Sequence, residues 1–306
     1  NIAWLFAFLA AVCLTAVFGV HRGIERLSTC LMPIFFLLMI GLAAYSLLLP
    51  GSEAGLAYLF QFSWSTVTPQ AILNAMGFTF FSLSLGAGVL VTYGAYVNKS
   101  TRLPSAAMWV AILALQAAIL AGLVIMPAVF AYGLEPDAGP GLVFITLPMI
   151  FAQLSGGSVV AVIFYFCLFV AALTSAVSLL EVAVAFLQNE CRFSRRAAVF
   201  LCFAALFILG SVSALSFGPW NDCLIFGRSI FDFLDYVCTN FLMTINGLAV
   251  AFVVGWKAWP KAMKELSTCS PENGVVTKGT LSAIGFGLRW LAPLMVLASC
   301  WQGLEA

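Results

Sequence analysis

Apolar residues neither alternate along this chain nor recur at the spacing of a one-sided helix. They run on in stretches of about 20 or more, with polar residues gathered in the gaps. In lipid only a helix satisfies its own backbone over such a length, so each stretch predicts a membrane-crossing helix. Eight are predicted, over about 1 to 20, 29 to 49, 75 to 97, 103 to 132, 157 to 188, 197 to 216, 224 to 256 and 280 to 303. Several exceed what a bilayer needs and must tilt, bend or be interrupted. Two gaps are long enough to do more than turn. Residues 50 to 74 carry Pro50-Gly51 and a short aromatic run. Residues 133 to 156 carry the breaker Glu135-Pro136-Asp137-Ala138-Gly139-Pro140-Gly141, followed by an apolar segment too short to span.

Composition turns this pattern into a fold class. Of 306 residues, 63% are hydrophobic and 8% charged, against about 25% charged in a soluble domain. The chain is therefore read as an all-α polytopic membrane protein, one transmembrane domain over 1–306 within the lipid bilayer. Thirteen Lys and Arg against twelve Asp and Glu leave a net charge of +1, which argues against nucleic acid as a partner. Nine cysteines form no C-x-x-C pair and read as small packing residues. The chain starts at Asn1 and enters an apolar stretch without a basic leader or a cleavage site, which reads as an internal fragment.

The basic residues suggest an orientation. If the first loop is cytoplasmic, that side collects Arg22, Arg26, Lys99, Arg102, Arg192, Arg195, Arg196, Lys257, Lys261, Lys264 and Lys278, leaving only Arg228 and Arg289 elsewhere. The opposite side collects Glu53, Glu135, Asp137, Asp222 and Glu305. The first span then runs outside to inside and the last ends outside. The sequon Asn98-Lys99-Ser100 falls in a cytoplasmic loop and carries no glycan.

Within the spans a few residues break the apolar rule. Phe80-Phe81-Ser82-Leu83-Ser84-Leu85-Gly86-Ala87-Gly88 puts two hydroxyls and two glycines near the midplane. Gly86 and Gly88 lower the cost of leaving helical geometry, and an unwound turn there offers backbone groups to a ligand or ion. Close packing of small residues against another helix is the alternative. In Ala171-Ala172-Leu173-Thr174-Ser175, the hydroxyls of Thr174 and Ser175 share a helix face with the Ala171 carbonyl, three oxygens suited to a small hard cation. The same hydroxyls could instead bond back to carbonyls one turn earlier.

Asp232 and Asp235 fall in the outer half of the seventh span and Glu181 in the inner half of the fifth. No obvious basic partner lies nearby in sequence, and each acid needs water or a partner. Asp235 is read as functional, and Glu181 as functional or as a side chain reaching back to the interface. His21, the sole histidine, sits in a loop beside Arg22, and no metal-ligand spacing occurs. Without a nucleophile and base or a metal set, the chain does not read as an enzyme, and no organic cofactor is expected.

Six motifs in register resemble the bacterial branch of the neurotransmitter:sodium symporter family. They are Gly23-Ile24-Glu25-Arg26 with Leu31-Met32-Pro33, Phe80 to Gly86, Thr92-Tyr93-Gly94-Ala95-Tyr96, Gly141-Leu142-Val143-Phe144-Ile145-Thr146-Leu147-Pro148, Leu173-Thr174-Ser175 and Phe231-Asp232-Phe233-Leu234-Asp235-Tyr236. The resemblance implies a LeuT-like fold of inverted repeats with broken helices. The eight spans would be family helices four to eleven: 1–49 the end of the first repeat, 75–256 the second repeat, and 280–303 an additional helix. Residues 133 to 156 resemble the outer loop that dips back over the vestibule.

Carried over by position, the resemblance implies that Ser82 and Ser84, with the carbonyls around them, serve sodium and substrate, and that Phe81 is half of an aromatic lid. It makes Ala171, Thr174 and Ser175 the second sodium site and lines the substrate pocket with Ala87, Ser175, Ala176 and Leu179. Asp235 becomes an outer-gate acid. Gly86 and Gly88 serve as the hinge of the broken helix, and Gly23 with Pro33 lets the fifth family helix unwind and admit cytoplasmic water to the sodium site. Two departures stand out. The first three family helices, with half of both sodium sites and the gate Arg, are absent from this chain. The usual first-site ligand is replaced by apolar residues near Leu113 and Ala114, with Gln116 the nearest polar side chain. The implied function is sodium-coupled symport of a neutral, apolar amino acid across the bacterial plasma membrane. A sodium-independent or proton-coupled transporter, and a non-transporting remnant, are the alternatives.

Overall fold

A computed structural model describes residues 2–64, 67–98, 101–134, 141–268 and 278–305, and these are almost wholly helical. Lys99 and Ser100 of the sequon, the breaker from Glu135 to Pro140, and Cys269 lie outside them. In chain order the helices are α1 Ile2–Val17, α2 Arg26–Leu47, α3 Ser52–Phe60, α4 Pro69–Ser82, α5 Val89–Gly94, α6 Leu103–Ala131, α7 Leu147–Gln153, α8 Gly157–Asn189, α9 Arg195–Leu215, α10 Ile230–Tyr236, α11 Met243–Phe252, α12 Trp259–Thr268, α13 Lys278–Phe286 and α14 Ala292–Glu305. Wider π-helical turns occupy Val20–Glu25, Leu142–Thr146, Val237–Leu242, Val253–Lys257 and Gly287–Leu291.

Among the described residues six helical runs are long and apolar enough to cross a membrane: Val20–Leu47, Leu103–Ala131, Gly157–Asn189, Arg195–Leu215, Ile230–Lys257 and Leu281–Ala298. The other two predicted crossings take different forms. α1 is a 16-residue apolar helix, and the third crossing is split into α4 and α5. The seventh starts at Ile230, six residues later than its apolar pattern suggests. Ile225 and Arg228 pair across a tight turn in which Phe226 and Gly227 both take positive φ, 50° and 78°. That is the geometry of a type I′ turn and ends any helix running through it. Asp232, expected inside the span, therefore stands in the first turn of α10. The Ser229 hydroxyl there accepts from the Asp232 N–H at 3.1 Å and donates to its carboxylate at 2.6 Å. A carboxylate so placed caps a helix start.

The chain forms two compact units, one of residues 1–20, 66–111 and 177–306, the other of 21–65 and 112–176. In the first, α1 packs along α9. Gly210 of α9 lets Leu5 approach so closely that a Cβ there would lie 3.1 Å from it, and Phe6 meets Phe203 and Phe207 edge-on. α4, α11 and α14 pack together in the same unit.

The second unit buries a core from α2, α6, α7 and the first part of α8, including Met39, Leu42, Val129, Leu147, Ile150 and Cys167. The short α7 is thus a core element, held by the Tyr165 hydroxyl donating to the Val143 carbonyl at 2.8 Å. α3 lies tight against α6: a Cβ on Gly55 would come within 2.6 Å of the Pro127 Cα. One turn before Pro127, the buried Ser46 hydroxyl donates to the Val124 carbonyl at 2.9 Å.

Candidate substrate and ion site

α4 does not fray into the break; it is closed off by its own backbone. The Leu85 N–H bonds to the Phe80 carbonyl at 3.2 Å and the Ser84 N–H to the Phe81 carbonyl at 2.9 Å. Ser84 itself sits in the left-handed region at φ 52°. This is the Schellman closure, with serine where glycine is usual. α5 then restarts from Gly88, also left-handed at φ 77°. Gly86 has a different task. A Cβ there would run into the Met243 carbonyl oxygen of α11 and come within 2.7 Å of the Phe80 ring, while one on Gly247 would strike the same ring. The Gly86 carbonyl, left outside any helix, accepts from Asn246 Nδ2 at 2.7 Å.

Around this break Phe81 is 51% exposed, Ser82 is exposed, Ser84 and Ala87 are half-buried and Gly86 is buried. A cavity of about 630 Å³ in the same unit is lined by Ala87, Gly88, Thr92, Tyr96 and Asn246 among others.

On α8, Ala171 and Ala176 are half-buried and Ser175 is exposed, as is Leu179 one turn beyond it, at 51%. The Thr174 hydroxyl donates to the Val170 carbonyl at 3.0 Å and to that of Ala171 at 3.1 Å. For Thr174, the back-bonded state left open by sequence is therefore observed. Gly23 is buried in the π turn Val20–Glu25, and Pro33 lies within α2, which is helical from Arg26 onward. His21 pairs with Glu25 at 2.9 Å on the exposed surface. Leu113 and Gln116 are exposed on α6.

Glu181 is closed off from solvent. Its side chain is 0% exposed and is gripped by Arg195, with Nη2 to Oε2 at 2.6 Å and Nη1 to Oε1 at 3.1 Å. Arg195 also donates to the Ala16 carbonyl at 2.8 Å and to Gln188 at 3.2 Å, and the Tyr96 hydroxyl donates to Glu181 at 3.3 Å. Two charges out of water are held because each is bonded several times over. Sequence spacing misses the pair because α8 and α9 fold back on each other across a short loop. The signal was an intramembrane acid with Arg195 at the start of the helix that follows across that loop. Asn246 was missed as well, although an amide beside Gly247 in an apolar span marks a helix bonding to something outside itself. Asp235 is exposed and accepts from the Thr239 hydroxyl at 3.4 Å.

The family profile of sodium:neurotransmitter symporters, described as "Sodium:neurotransmitter symporter family", matches residues 1–278. This chain belongs to that family. An uncharacterized sodium-dependent transporter of Haemophilus influenzae is 38% identical over 281 residues, which cover 91% of this chain and 60% of the relative. The sodium-dependent transporter YhdH of Bacillus subtilis is 34% identical over 297 residues, 97% of this chain and 65% of the relative. Among solved structures, MhsT in complex with L-phenylalanine superposes with a TM-score of 0.87 at 39% identity, covering 99% of this chain and 68% of that one.

The chain thus spans about three-fifths to two-thirds of the length of these symporter relatives. It has the LeuT-like fold and is a multi-pass protein of the bacterial plasma membrane. The family and these relatives are transporters, and the relatives are sodium-dependent.

Proposed function

We propose that this chain forms the greater part of a sodium-coupled symporter of neutral, apolar amino acids that works by alternating access. The observation that carries the reading is the closed-off break at Leu83–Gly88 in a chain of this family. A helix that ends and restarts mid-membrane leaves backbone groups free of the helical ladder, which is how such transporters hold substrate and ion. Ser82 and Ser84 then serve sodium and substrate, with Phe81 as the lid. Ala171, Thr174 and Ser175 hold the second sodium ion. Ala87, Ala176 and Leu179 shape the side-chain pocket without charge, and MhsT, the similar structure, binds L-phenylalanine.

In this reading 1–49 ends the first inverted repeat, 75–256 is the second and 280–303 is added. Family helices one to three come from residues not in this chain and complete both ion sites. Asp235 meets a gate Arg from that part, and Gly23 with Pro33 loosens the inner path. Leucine or phenylalanine uptake by the full-length protein in proteoliposomes tests the proposal. Uptake should follow an inward sodium gradient, and Ser175→Ala should raise the sodium concentration for half-maximal uptake severalfold. Uptake that ignores sodium and follows a proton gradient would transfer the protein to the proton-coupled alternative.

A further inference from the structure

Of the two basic residues that stood apart from the others, Arg289 is brought towards them by the fold. Its Nε donates to the Gly255 carbonyl at 2.6 Å, two residues before Lys257. Its guanidinium carbon lies 5.5 Å from the ring centre of Trp259. α12, which begins at Trp259, is two-faced. Trp259, Ala262 and Leu266 share one half-buried side, while Lys261, Lys264 and Glu265 are exposed on the other. Trp256 and Trp290 meet at 6.1 Å, and both are partly exposed. Tryptophans so placed mark the level where hydrocarbon gives way to headgroups. Four basic side chains against one acid therefore gather at that level, on the side of the chain that carries most of its Lys and Arg.

An apolar groove of about 510 Å³ has Leu288, the residue before Arg289, on its lining. Its walls are two stripes at one-turn spacing, Gly247 and Ala251 leading down to Gly255, and Leu288, Ala292 and Val296 leading up from beside Arg289. From Leu288 to Val296 the wall rises about 12 Å. The polar side chain on the lining, Thr79, donates its hydroxyl to the Ala75 carbonyl at 2.7 Å. The surface is apolar, and Leu288 on its lining immediately precedes Arg289 in the chain.

The geometry points to a binding site for one anionic phospholipid, its phosphate on Arg289 with Lys257 and Lys261 and one acyl chain laid along the groove. A guanidinium presents several donors in a plane and suits a phosphate oxyanion, and lysines at the interface add attraction that a zwitterionic headgroup does not return. Side-chain volume confines the chain: Ala251 and Ala292 leave the room that a larger residue would fill. This inference stands on the groove and the charges and does not depend on transport.

Native mass spectrometry of the full-length protein in detergent tests it, with phosphatidylglycerol and phosphatidylcholine of the same acyl chains as probes. One phosphatidylglycerol should be retained per protein in preference to phosphatidylcholine. Lys257→Gln with Lys261→Gln should cut that preference by about fivefold for each charge removed. Ala292→Trp, which plugs the groove, should abolish retention of both lipids. Equal retention of the two lipids by the unaltered protein, a preference untouched by the lysine pair, or no retained lipid because protein covers the groove would each overturn it. Thermal unfolding with added phosphatidylglycerol gives a second readout. An Arg289→Gln protein that folds yet gains no stability from the lipid supports the site, and one stabilised as much as the unaltered protein refutes it.

Discussion

Arg195 reaches Glu181, Gln188 and the Ala16 carbonyl from one side chain, only 21% of which is exposed. Removing either charge leaves the other buried without its partner. Arg195→Ala or Glu181→Ala should each cost about 3–5 kcal/mol. Replacing both by apolar residues of similar size, Glu181→Leu with Arg195→Met, should recover most of that, because the desolvation penalty vanishes with the charges. Unfolding temperatures of the three proteins in detergent decide it, and a double variant no better than the singles would show that the bonds to Ala16 and Gln188 carry the site. Gly86 makes a similarly local demand through shape. Gly86→Ala pushes a methyl into the Met243 backbone and should cost about 1–3 kcal/mol and disturb substrate binding. Gly94→Ala, where nothing lies within 4 Å of the added carbon, should be silent. Equal behaviour of the two in unfolding and ligand-binding assays would remove the packing argument.

At the scale of elements, the interrupted helix is the place where sequence and structure speak most directly to one another. Two glycines and two serines within a membrane span left two readings open, and Gly86 turns out to serve both: it packs against α11 and belongs to the break. Glycine at Gly88 fits the left-handed start of α5, whereas the left-handed closure of α4 falls on Ser84, which no propensity singles out. If Ala87 shapes the substrate pocket, affinity in a competition series from Gly through Ala, Val, Leu and Met to Phe should rise with side-chain size, each buried methylene adding about 0.8 kcal/mol. Ala87→Phe should penalise the largest members most. Tightest binding of Gly, or of a charged amino acid, would mean that Ala87 faces elsewhere.

For the whole molecule, the run of apolar stretches made the membrane class and the long helices legible, because lipid leaves the backbone few alternatives. Partnerships across helices were not legible. Glu181 with Arg195, Asn246 with Gly86 and Arg289 with Gly255 each join residues whose separation along the chain carries no period. The start of the seventh span was misplaced for a related reason, since Leu224, Ile225 and Phe226 are as apolar as a helix yet are bent by the glycine that follows.

The π turns bear on how such a chain changes over generations. Each is a helix holding one residue more than its hydrogen-bond ladder needs, so it can lose a residue without losing the helix. The turn Val237–Leu242 separates Asp235 from Asn246. Deleting Thr239 should leave a folded, membrane-inserted protein, as limited proteolysis and detergent chromatography can show, with Asp235 and Asn246 keeping their mutual facing because the wide turn gives up its extra residue. A one-residue deletion in α9, which has no such slack, should be far more damaging. A helix with a spare residue carries built-in slack, one that lets a span change by a residue while both of its ends stay seated.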